Sequence, residues 1–210
     1  MSQAQRARGR FWHVGAAGLL FLGSAGPALH AQQMPHEEHP EVFATPHHRI
    51  PNFAAHPSIM SATSGNWSDP MTWMPARVPG AHDVVHIMAG HTVVYDVISD
   101  AELAAVGVDG MLRFRTDRTT RLTVGSLLVA PEGTLEIGTP AQPVAAPLTA
   151  EIVIADRPLA TTTPDPDTGV LDPEQFGTSL IVLGSIGLHG APKIPTWTRL
   201  AVEPKAGDTT

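Results

Sequence analysis

The sequence predicts an all-β fold, most simply a parallel β-helix or solenoid of short strands and Gly/Pro turns, with a β-sandwich as the alternative. Three observations support this prediction. First, the 210 residues include 19 Gly and 20 Pro, only 16% are charged, and lysine occurs only at Lys193 and Lys205. Amphipathic helices need Ala, Leu, Glu and Lys on their faces, so a helical bundle is disfavoured. The other two observations are short β-branched runs and a recurring glycine motif.

Charge and cysteine content exclude several classes of function. The 13 basic and 20 acidic side chains give a net charge of −7. Because no basic patch is visible that would neutralise phosphates, the sequence predicts no nucleic-acid partner. The absence of cysteine excludes a thiol nucleophile, a cysteine-ligated metal site and disulfide bonds. The sequence also contains no P-loop, dinucleotide-binding glycine loop or serine elbow.

Residues 1–31 are typical of a secretory signal peptide. Arg6, Arg8 and Arg10 form a positive start, residues 11–22 are apolar, and the best cleavage position follows Ala31. A membrane anchor is the alternative, but this apolar run is too short to cross about 30 Å of hydrocarbon as a helix. The sequence therefore predicts secretion to the periplasm or the extracellular space, and a mature chain without a membrane span.

Residues 32–62 combine histidine with proline and are predicted to form a linker. Imidazole is a good ligand for copper, zinc or nickel, which makes His36, His39, His47 and His48 weak candidates for a metal site. The favoured interpretation is a solvated proline-rich segment without a metal. Proline opposes the regular structure that would give a His-x-x-His pair a fixed geometry.

From Asn66 onward, short apolar runs separated by turn residues predict strands. Residues 89–90 are predicted to form a hairpin or a corner, and only residues 99–106 favour one or two helical turns. The predicted strands lie at 84–87, 91–95, 106–108, 111–114, 122–124, 127–129, 135–137, 152–154, 180–183 and 186–188.

A motif of the form Gly-x-apolar-x-apolar occurs at residues 110–114, 133–137 and 184–188. The first two glycines are 23 residues apart, which suits one coil of a parallel β-helix. The second interval, of 51 residues, is interpreted as two coils plus a few inserted residues. Residues 155–177 contain four prolines and are predicted to protrude as a loop, because proline cannot continue a strand ladder.

The stretches GNWSDPMTW (65–73), VPGAHDVVHI (78–87) and AGHTV (89–93) form a long ordered string that resembles the opening of a G-8 domain, a family named for its eight glycines. GLHG (187–190) and WT (197–198) resemble the end of that domain, which is predicted to span residues 63–200. GTS (177–179) departs from the Gly-x-Lys that usually leads into the last strands of the family.

The resemblance implies an all-β extracellular module associated with polysaccharide. The family includes fibrocystin-like proteins and cell-migration proteins that bind and depolymerise hyaluronan, and its larger members continue into a parallel β-helix. Residues 201–210 are expected to be a tail that begins such a region. The lysine-poor composition in addition suggests a bacterial exported member.

Two tryptophans and two arginines are candidates for ligand binding. Trp67 and Trp73 offer flat faces on which sugar rings stack, although aromatic residues at this spacing also cap the end of a solenoid. Strand alternation places Arg113 and Arg115 on one face, where they could meet the carboxylates of an anionic polysaccharide or pair with acidic neighbours. Those neighbours are Asp117, Glu132 and Glu136.

Asp83, His91 and Asp96 are weak catalytic candidates. A histidine and carboxylates near one edge could act as acid and base, or hold a cation such as calcium, so the cofactor is left open. The more common role of such side chains is to bond neighbouring backbone and cap turns. Glycoside cleavage needs two carboxyl groups on opposite sides of a bond, and the sequence does not show which pair would face each other.

Three hypotheses of function follow. The first is a secreted, non-catalytic module that binds polysaccharide or supports an adjacent β-helix. The second is a polysaccharide-depolymerising enzyme of the hyaluronidase type, and the third is a surface or adhesion component without a small ligand. Enzymatic activity is left open, with the balance against catalysis by this chain alone.

Overall fold

The computed structural model describes residues 40–160 and 163–192, and β-structure dominates them, which confirms the all-β prediction. The predicted signal peptide, His36, His39 and the tail at 201–210 lie outside the described residues. Within the described ranges the elements are one 3-10 turn (Pro70–Thr72) and the strands β1 (Val42–Ala44), β2 (Arg49–Pro51), β3 (Ile59–Ser61), β4 (Gly65–Asn66), β5 (Trp73–Met74), β6 (Val84–Ile87), β7 (Thr92–Tyr95), β8 (Ile98–Val108), β9 (Met111–Phe114), β10 (Thr120–Val129), β11 (Thr134–Ile137), β12 (Ala150–Ile154), β13 (Leu180–Val182) and β14 (Ser185–Leu188).

Strands β3 to β14 form two sheets. Sheet 1 has the order β12-β10-β8-β6-β3-β5, with β13 also paired to β10, and sheet 2 has the order β14-β11-β9-β7-β4. Neighbouring strands are parallel in both sheets, except for the antiparallel pair of β3 and β5. From β6 to β11 the chain alternates between the sheets, so it winds as a parallel β-helix. The β-sandwich alternative, which would need antiparallel sheets, does not apply.

The core lies between the two sheets and consists of columns of apolar side chains, one from each coil. Ladder register places one residue per strand on the same level, so each coil covers the apolar residues of the coil before it. One column of sheet 1 is Ile59, Val85, Val106, Leu127 and Leu180, and one column of sheet 2 is Val93, Leu112, Leu135 and Ile186.

The predicted coil of 23 residues is confirmed, because Met111 on β9 pairs directly with Thr134 on β11. The 51-residue interval, however, is wrongly interpreted as two coils. Thr134 also pairs directly with Ser185 on β14, so a single coil separates these two residues. That coil is long because β12 and β13 both pair with β10, one after the other. Residues 155–179, here called the insertion, separate β12 from β13.

The prediction of helical turns at residues 99–106 is wrong, because this segment belongs to strand β8. Val106 faces the core, whereas Ala105 lies on the other face of the strand and is buried as well. A strand that is buried on both faces loses the alternation of apolar and polar residues. Its alanines therefore resemble a helix in sequence.

Residues 40–56, here called the arm, pack on the outer face of sheet 1. Strands β1 and β2 form an antiparallel pair in the arm, and Phe53 and Ala54 are buried. A Cβ added to Gly107 of β8 would lie 2.7 Å from the Ala54 methyl carbon, which shows how closely the arm approaches the sheet. The described part of the predicted linker is thus not a solvated segment. Its prolines do not prevent short strands, and Pro51 is itself the last residue of β2.

Candidate functional site

The last coil leaves apolar side chains exposed at one end of the stack. Ile186 and Leu188 continue inward-facing columns of sheet 2, yet they are 44% and 58% exposed. Leu180 ends the column in sheet 1 and is 38% exposed, whereas Leu127, the rung before it, is fully buried. These three side chains point as core residues do, but no further described coil covers them. Together with the edges of β13 and β14 they are here called the open end.

An apolar depression of about 360 Å³ adjoins the open end. Leu188 forms one side of it, and the connection between β11 and β12 forms the other, with Val144 and Leu148. This connection is held in place by the Val144 N–H, which donates to the carbonyl oxygen of His189 at 2.9 Å. The exposed apolar surface therefore extends beyond the strands themselves.

The opposite end of the stack is closed by the two tryptophans. Trp67 and Trp73 are 2% and 1% exposed, and their rings meet edge to face with centroids 4.8 Å apart. The Trp73 indole N–H donates to the Trp67 carbonyl oxygen at 2.8 Å, and Tyr95 packs against Trp67 on the core side. These tryptophans therefore do not offer the sugar-stacking faces that the sequence suggested. They lie in the core at the first coil.

A polar groove of about 680 Å³ runs along the outer face of sheet 2 and contains the two candidate arginines. Arg113 and Arg115 are about half exposed there, and their carboxylate neighbours come from the next strand and the next turn. The Arg113 Nε donates to Glu136 at 2.6 Å, and the Arg115 Nε donates to Asp117 at 2.9 Å. Thr139 and Gln142 are further polar residues of the groove.

Each groove arginine is thus partnered by a carboxylate. The hydrogen bond from Arg115 lowers the pKa of Asp117 to about 2, so this pair is ionised at neutral pH. The groove presents alternating positive and negative groups rather than a purely basic strip. An anionic ligand would have to displace Glu136 or Asp117 from its arginine, or use the N–H groups that these acids leave free.

The three catalytic candidates lie in separate hydrogen-bond networks. Asp83 is buried and accepts hydrogen bonds from both terminal guanidinium nitrogens of Arg77, at 2.5 and 2.7 Å. The hydrogen bonds from Arg77 lower the pKa of Asp83 to about 2, against the opposite effect of burial. Asp96 accepts hydrogen bonds from the backbone N–H and the hydroxyl of Ser68. Both carboxylates are therefore engaged in holding turns together.

His91 lies at the corner between β6 and β7, where residues 89–90 form a corner between the sheets rather than a hairpin. Its Nδ1 and the Ser61 hydroxyl are 2.8 Å apart. No hydrogen bond of the described residues joins His91 to Asp83 or Asp96. The sequence left open whether these residues form an acid and a base around one substrate. The hydrogen bonds described here do not bring them together in that way.

The two described histidines of the candidate metal site, His47 and His48, lie in the arm. The His48 Nδ1 is 2.6 Å from a carboxylate oxygen of Glu174 in the insertion, and the His47 ring meets the His48 ring edge to face. In the part of the chain that the structure describes, no three His, Asp or Glu side chains come together as metal ligands would.

Sequence reasoning missed Arg77, the main partner of Asp83, and the links between the arm and the insertion. Arg77 stands just before the Pro-Gly turn that precedes Asp83, and a basic and an acidic residue flanking such a turn could have signalled the pair. By contrast, Arg49 binds Asp165 across 116 residues of sequence. No local pattern signals a contact of that kind.

Comparison with known proteins decides the family. The sequence model of the G8 domain family matches residues 72–201, which include β6 to β14. The chain belongs to the G8 domain family. Fibrocystin from the dog (Canis lupus familiaris) is 29% identical over 167 residues, which cover 72% of this chain and 4% of fibrocystin. No solved structure matches the chain.

The G8 domain therefore corresponds to most of the β-helix, including the open end and the groove on sheet 2. Its relative is a far longer protein, of which the chain spans only 4%. Family membership fits an extracellular module. No described helix combines the length and apolar character needed to cross a bilayer. The composition-based suggestion of a bacterial source gains no support from a canine relative.

Proposed function

We propose that this chain is an exported, non-catalytic G8 module that supports an adjacent β-helical region on its open end. The observation that carries the proposal is the exposure of Leu180, Ile186 and Leu188 at the last positions of otherwise buried columns. In this proposal residues 1–31 direct export. The likeness to a small part of a much longer fibrocystin supports a role beside other domains.

Packing of a further coil has a clear driving force. Covering each of the three apolar side chains would contribute about 1 kcal/mol, because roughly half of each remains exposed. The edges of β13 and β14 would at the same time gain hydrogen-bond partners, as edge strands do when another strand is added. Among the described residues, the closed end has the buried Trp67 and Trp73 in place of exposed columns, and its edge strand on sheet 1, β5, is antiparallel. The module would thus grow in one direction only.

A fusion protein tests this proposal. The chain is joined by a flexible linker to a designed parallel β-helix whose first coil presents matching apolar columns, and unfolding is followed by calorimetry. Docking is expected to give one joint transition. The double substitution Ile186→Lys with Leu188→Lys should split it into two, whereas Met71→Lys, at a side chain 71% exposed in the 3-10 turn, should not. Two independent transitions in the unsubstituted fusion would refute the proposal.

The groove on sheet 2 favours a second candidate function, the binding of an anionic polysaccharide. Its half-exposed arginines, together with the hydroxyl and amide groups of Thr139 and Gln142, match the carboxylates and hydroxyls of such a polymer. The two arginines of the groove are already paired with carboxylates of the protein itself. Weak, multivalent binding is therefore expected rather than a deep single-sugar site.

Size-exclusion chromatography with high-molecular-weight hyaluronan, with and without calcium, tests this second function. Co-elution with polymer of unchanged size is expected, and the double substitution Arg113→Gln with Arg115→Gln should abolish it. Arg118→Gln, at an exposed arginine that does not line the groove, is the matched control. Shortened polymer would instead establish the depolymerising enzyme. Without either effect, the surface or adhesion component without a small ligand would be favoured over polysaccharide binding.

A further inference from the structure

Three methionines and a histidine line one pocket beside the first corner of the β-helix. The pocket has a volume of about 290 Å³, and its lining includes Met60, Met74, Met88 and His91. The other residues that line it are Ser61, Ala62 and Ala89. The lining therefore combines three methionines and one histidine with small residues, and it includes no carboxylate.

The sheet register explains why the methionines come together. Met60 on β3 is the direct antiparallel partner of Met74 on β5. Directly opposed residues place their side chains on the same face of the sheet. On its other side Met60 is the partner of His86 on β6, and Met88 follows two residues later. Met88 directly follows the end of β6 and lines the same pocket as Met60 and Met74.

The histidine is held by the corner itself. Ser61 Oγ accepts the Met88 backbone N–H at 2.9 Å, and the same Oγ lies 2.8 Å from His91 Nδ1. The His91 backbone N–H donates to the Met88 carbonyl oxygen at 3.1 Å. In the tautomer whose Nδ1–H donates to Ser61 Oγ, Nε2 carries the lone pair that can bind a ligand. A hydrogen bond to the other nitrogen is the usual way in which proteins orient a metal-binding histidine.

We propose that this pocket is a site for a monovalent soft metal ion, Cu(I), bound by the sulfurs of Met60, Met74 and Met88 and by His91 Nε2. Neutral thioethers are poor ligands for zinc, calcium or magnesium, which prefer thiolate, imidazole or oxygen. Copper(I) is the ion that thioether and imidazole ligands select. The chain contains no cysteine, so its methionines are its only soft ligands.

The pocket suits this ion in burial as well as in chemistry. Met60 is 4% exposed, and Met74, Met88 and His91 are partly buried. A site without carboxylates adds no negative charge around the ion, which favours a monovalent over a divalent cation. The site is independent of the open end and of the groove on sheet 2, so it stands whether or not the proposed function holds.

Nuclear magnetic resonance of the full chain, labelled with ¹³C at the methionine methyl groups, tests the site directly. Silver(I) serves as a redox-inert probe for Cu(I). At one equivalent of Ag(I), the methyl signals of Met60, Met74 and Met88 are expected to shift together. The methyl signals of Met71 and Met111, which lie outside the pocket, should stay in place. Zinc at the same concentration should leave the signals of these five methionines unchanged.

Ligand substitution supplies the second measurement. Met74→Leu with Met88→Leu conserves side-chain volume, so the fold is expected to persist. This double variant should bind Ag(I) at least tenfold more weakly in competition with a chromophoric chelator, and Ag(I) should no longer raise its melting temperature. Met71→Leu with Met111→Leu is the matched control and should behave as the parent chain does.

The outcomes separate the proposed site from two alternatives. If the three pocket methyl signals do not move at one equivalent of Ag(I), the methionines only fill an apolar gap and the proposal fails. If the double pocket variant retains full Ag(I) affinity, the ion is held elsewhere, for example by the histidines at 36, 39, 47 and 48, and the proposal fails as well. Joint shifts in the parent and their loss in the variant would establish the site.

Discussion

Asp83 illustrates how one carboxylate can organise a turn. It accepts hydrogen bonds from the Arg77 guanidinium, from the Gly80 N–H at 2.7 Å and from the Ser58 hydroxyl at 2.8 Å. Arg77 makes the largest contribution to the lowered pKa of about 2, and burial acts in the opposite direction. The residue thus connects β3, the Pro-Gly turn and the start of β6, and it does so as an anion.

The stability of the protein is therefore expected to fall in acid. The folded pKa of Asp83, about 2, lies below the ordinary value of 3.8, so between these values the unfolded chain binds more protons. The contribution, on the order of 2 kcal/mol, is complete above the ordinary pKa and is lost as the pH falls through the folded pKa. Asp83→Asn should remove it at about pH 6 and make little difference near pH 2.

Urea unfolding of the parent chain and of Asp83→Asn at both pH values measures this effect. Glu132→Gln, in an exposed turn, controls for the change in net charge. If Asp83→Asn lowers the free energy of unfolding equally at both pH values, the carboxylate charge is not the source of the stability. A structural loss unrelated to ionisation would then be the explanation.

At the scale of the elements, the corners between the sheets decide which residues the repeat needs. A Cβ added to Gly133 would overlap the carbonyl oxygen of Val108 at the corner of the coil before it. A Cβ on Gly184 would likewise overlap the carbonyl oxygens of Ala130 and Gly133. These contacts are with backbone, which cannot rotate away as a side chain can. Glycine recurs because successive corners stack too closely for any side chain.

The substitution Gly133→Ala is consequently expected to lower the free energy of unfolding by at least about 2 kcal/mol. Gly187→Ala is the matched control, because a Cβ on Gly187 meets nothing within 4 Å. It should be neutral or slightly stabilising, since alanine has less freedom to lose on folding. Equal stability of the two variants in chemical denaturation would show that the corners do not limit the stack.

This close stacking also explains which elements the sequence predicts well. The 23-residue coil follows from the glycine spacing because corner contacts are local to one coil and repeat. The prolines predict the loop at residues 155–177, but they do not show that β12 and β13 pair one after the other with β10, so that only one coil lies there. Part of strand β8 resembles a helix in sequence because the arm buries the second face of the strand, and the arm is distant in sequence.

The candidate site shows the same limit. The pairing of Arg113 with Glu136 was one of two alternatives that strand alternation left open, and it lies on directly paired residues of β9 and β11. The exposure of Ile186 and Leu188 could not be foreseen, because each has the same local pattern as a buried rung. Whether another coil covers an apolar column depends on the whole stack of coils and not on the local sequence of the last strand.

At the scale of the whole molecule, the arm and the insertion together cover the outer face of sheet 1. Arg49 joins them: its Nε donates to Asp165 at 2.7 Å, and its backbone N–H donates to Glu174 at 2.5 Å. Asp165 is 2% exposed and also accepts the backbone N–H groups of Asp167 and Thr168. Beneath the arm and the insertion, outward-facing residues of sheet 1 such as Ser126 and Leu128 are buried.

We therefore expect the arm and the insertion to loosen together when Arg49 is replaced. Arg49→Met keeps much of the side-chain volume but leaves the buried Asp165 without its cation, and unpaired buried carboxylates are costly. Amide hydrogen exchange in residues 45–55 and in residues 165–177 should accelerate at least tenfold. Arg115→Met, which breaks an exposed pair with Asp117, should change exchange in neither segment.

A second variant distinguishes a shared latch from two independent segments. Asp165→Asn removes the charge on the side of the insertion and keeps the size of the side chain, so it should accelerate exchange in the arm although no arm residue is altered. If Asp165→Asn affects only the insertion, or Arg49→Met only the arm, each segment packs on sheet 1 by its own contacts. Acceleration of both segments by either variant would show that the described β-helix is covered by one cooperative layer, built from residues 116 positions apart in sequence.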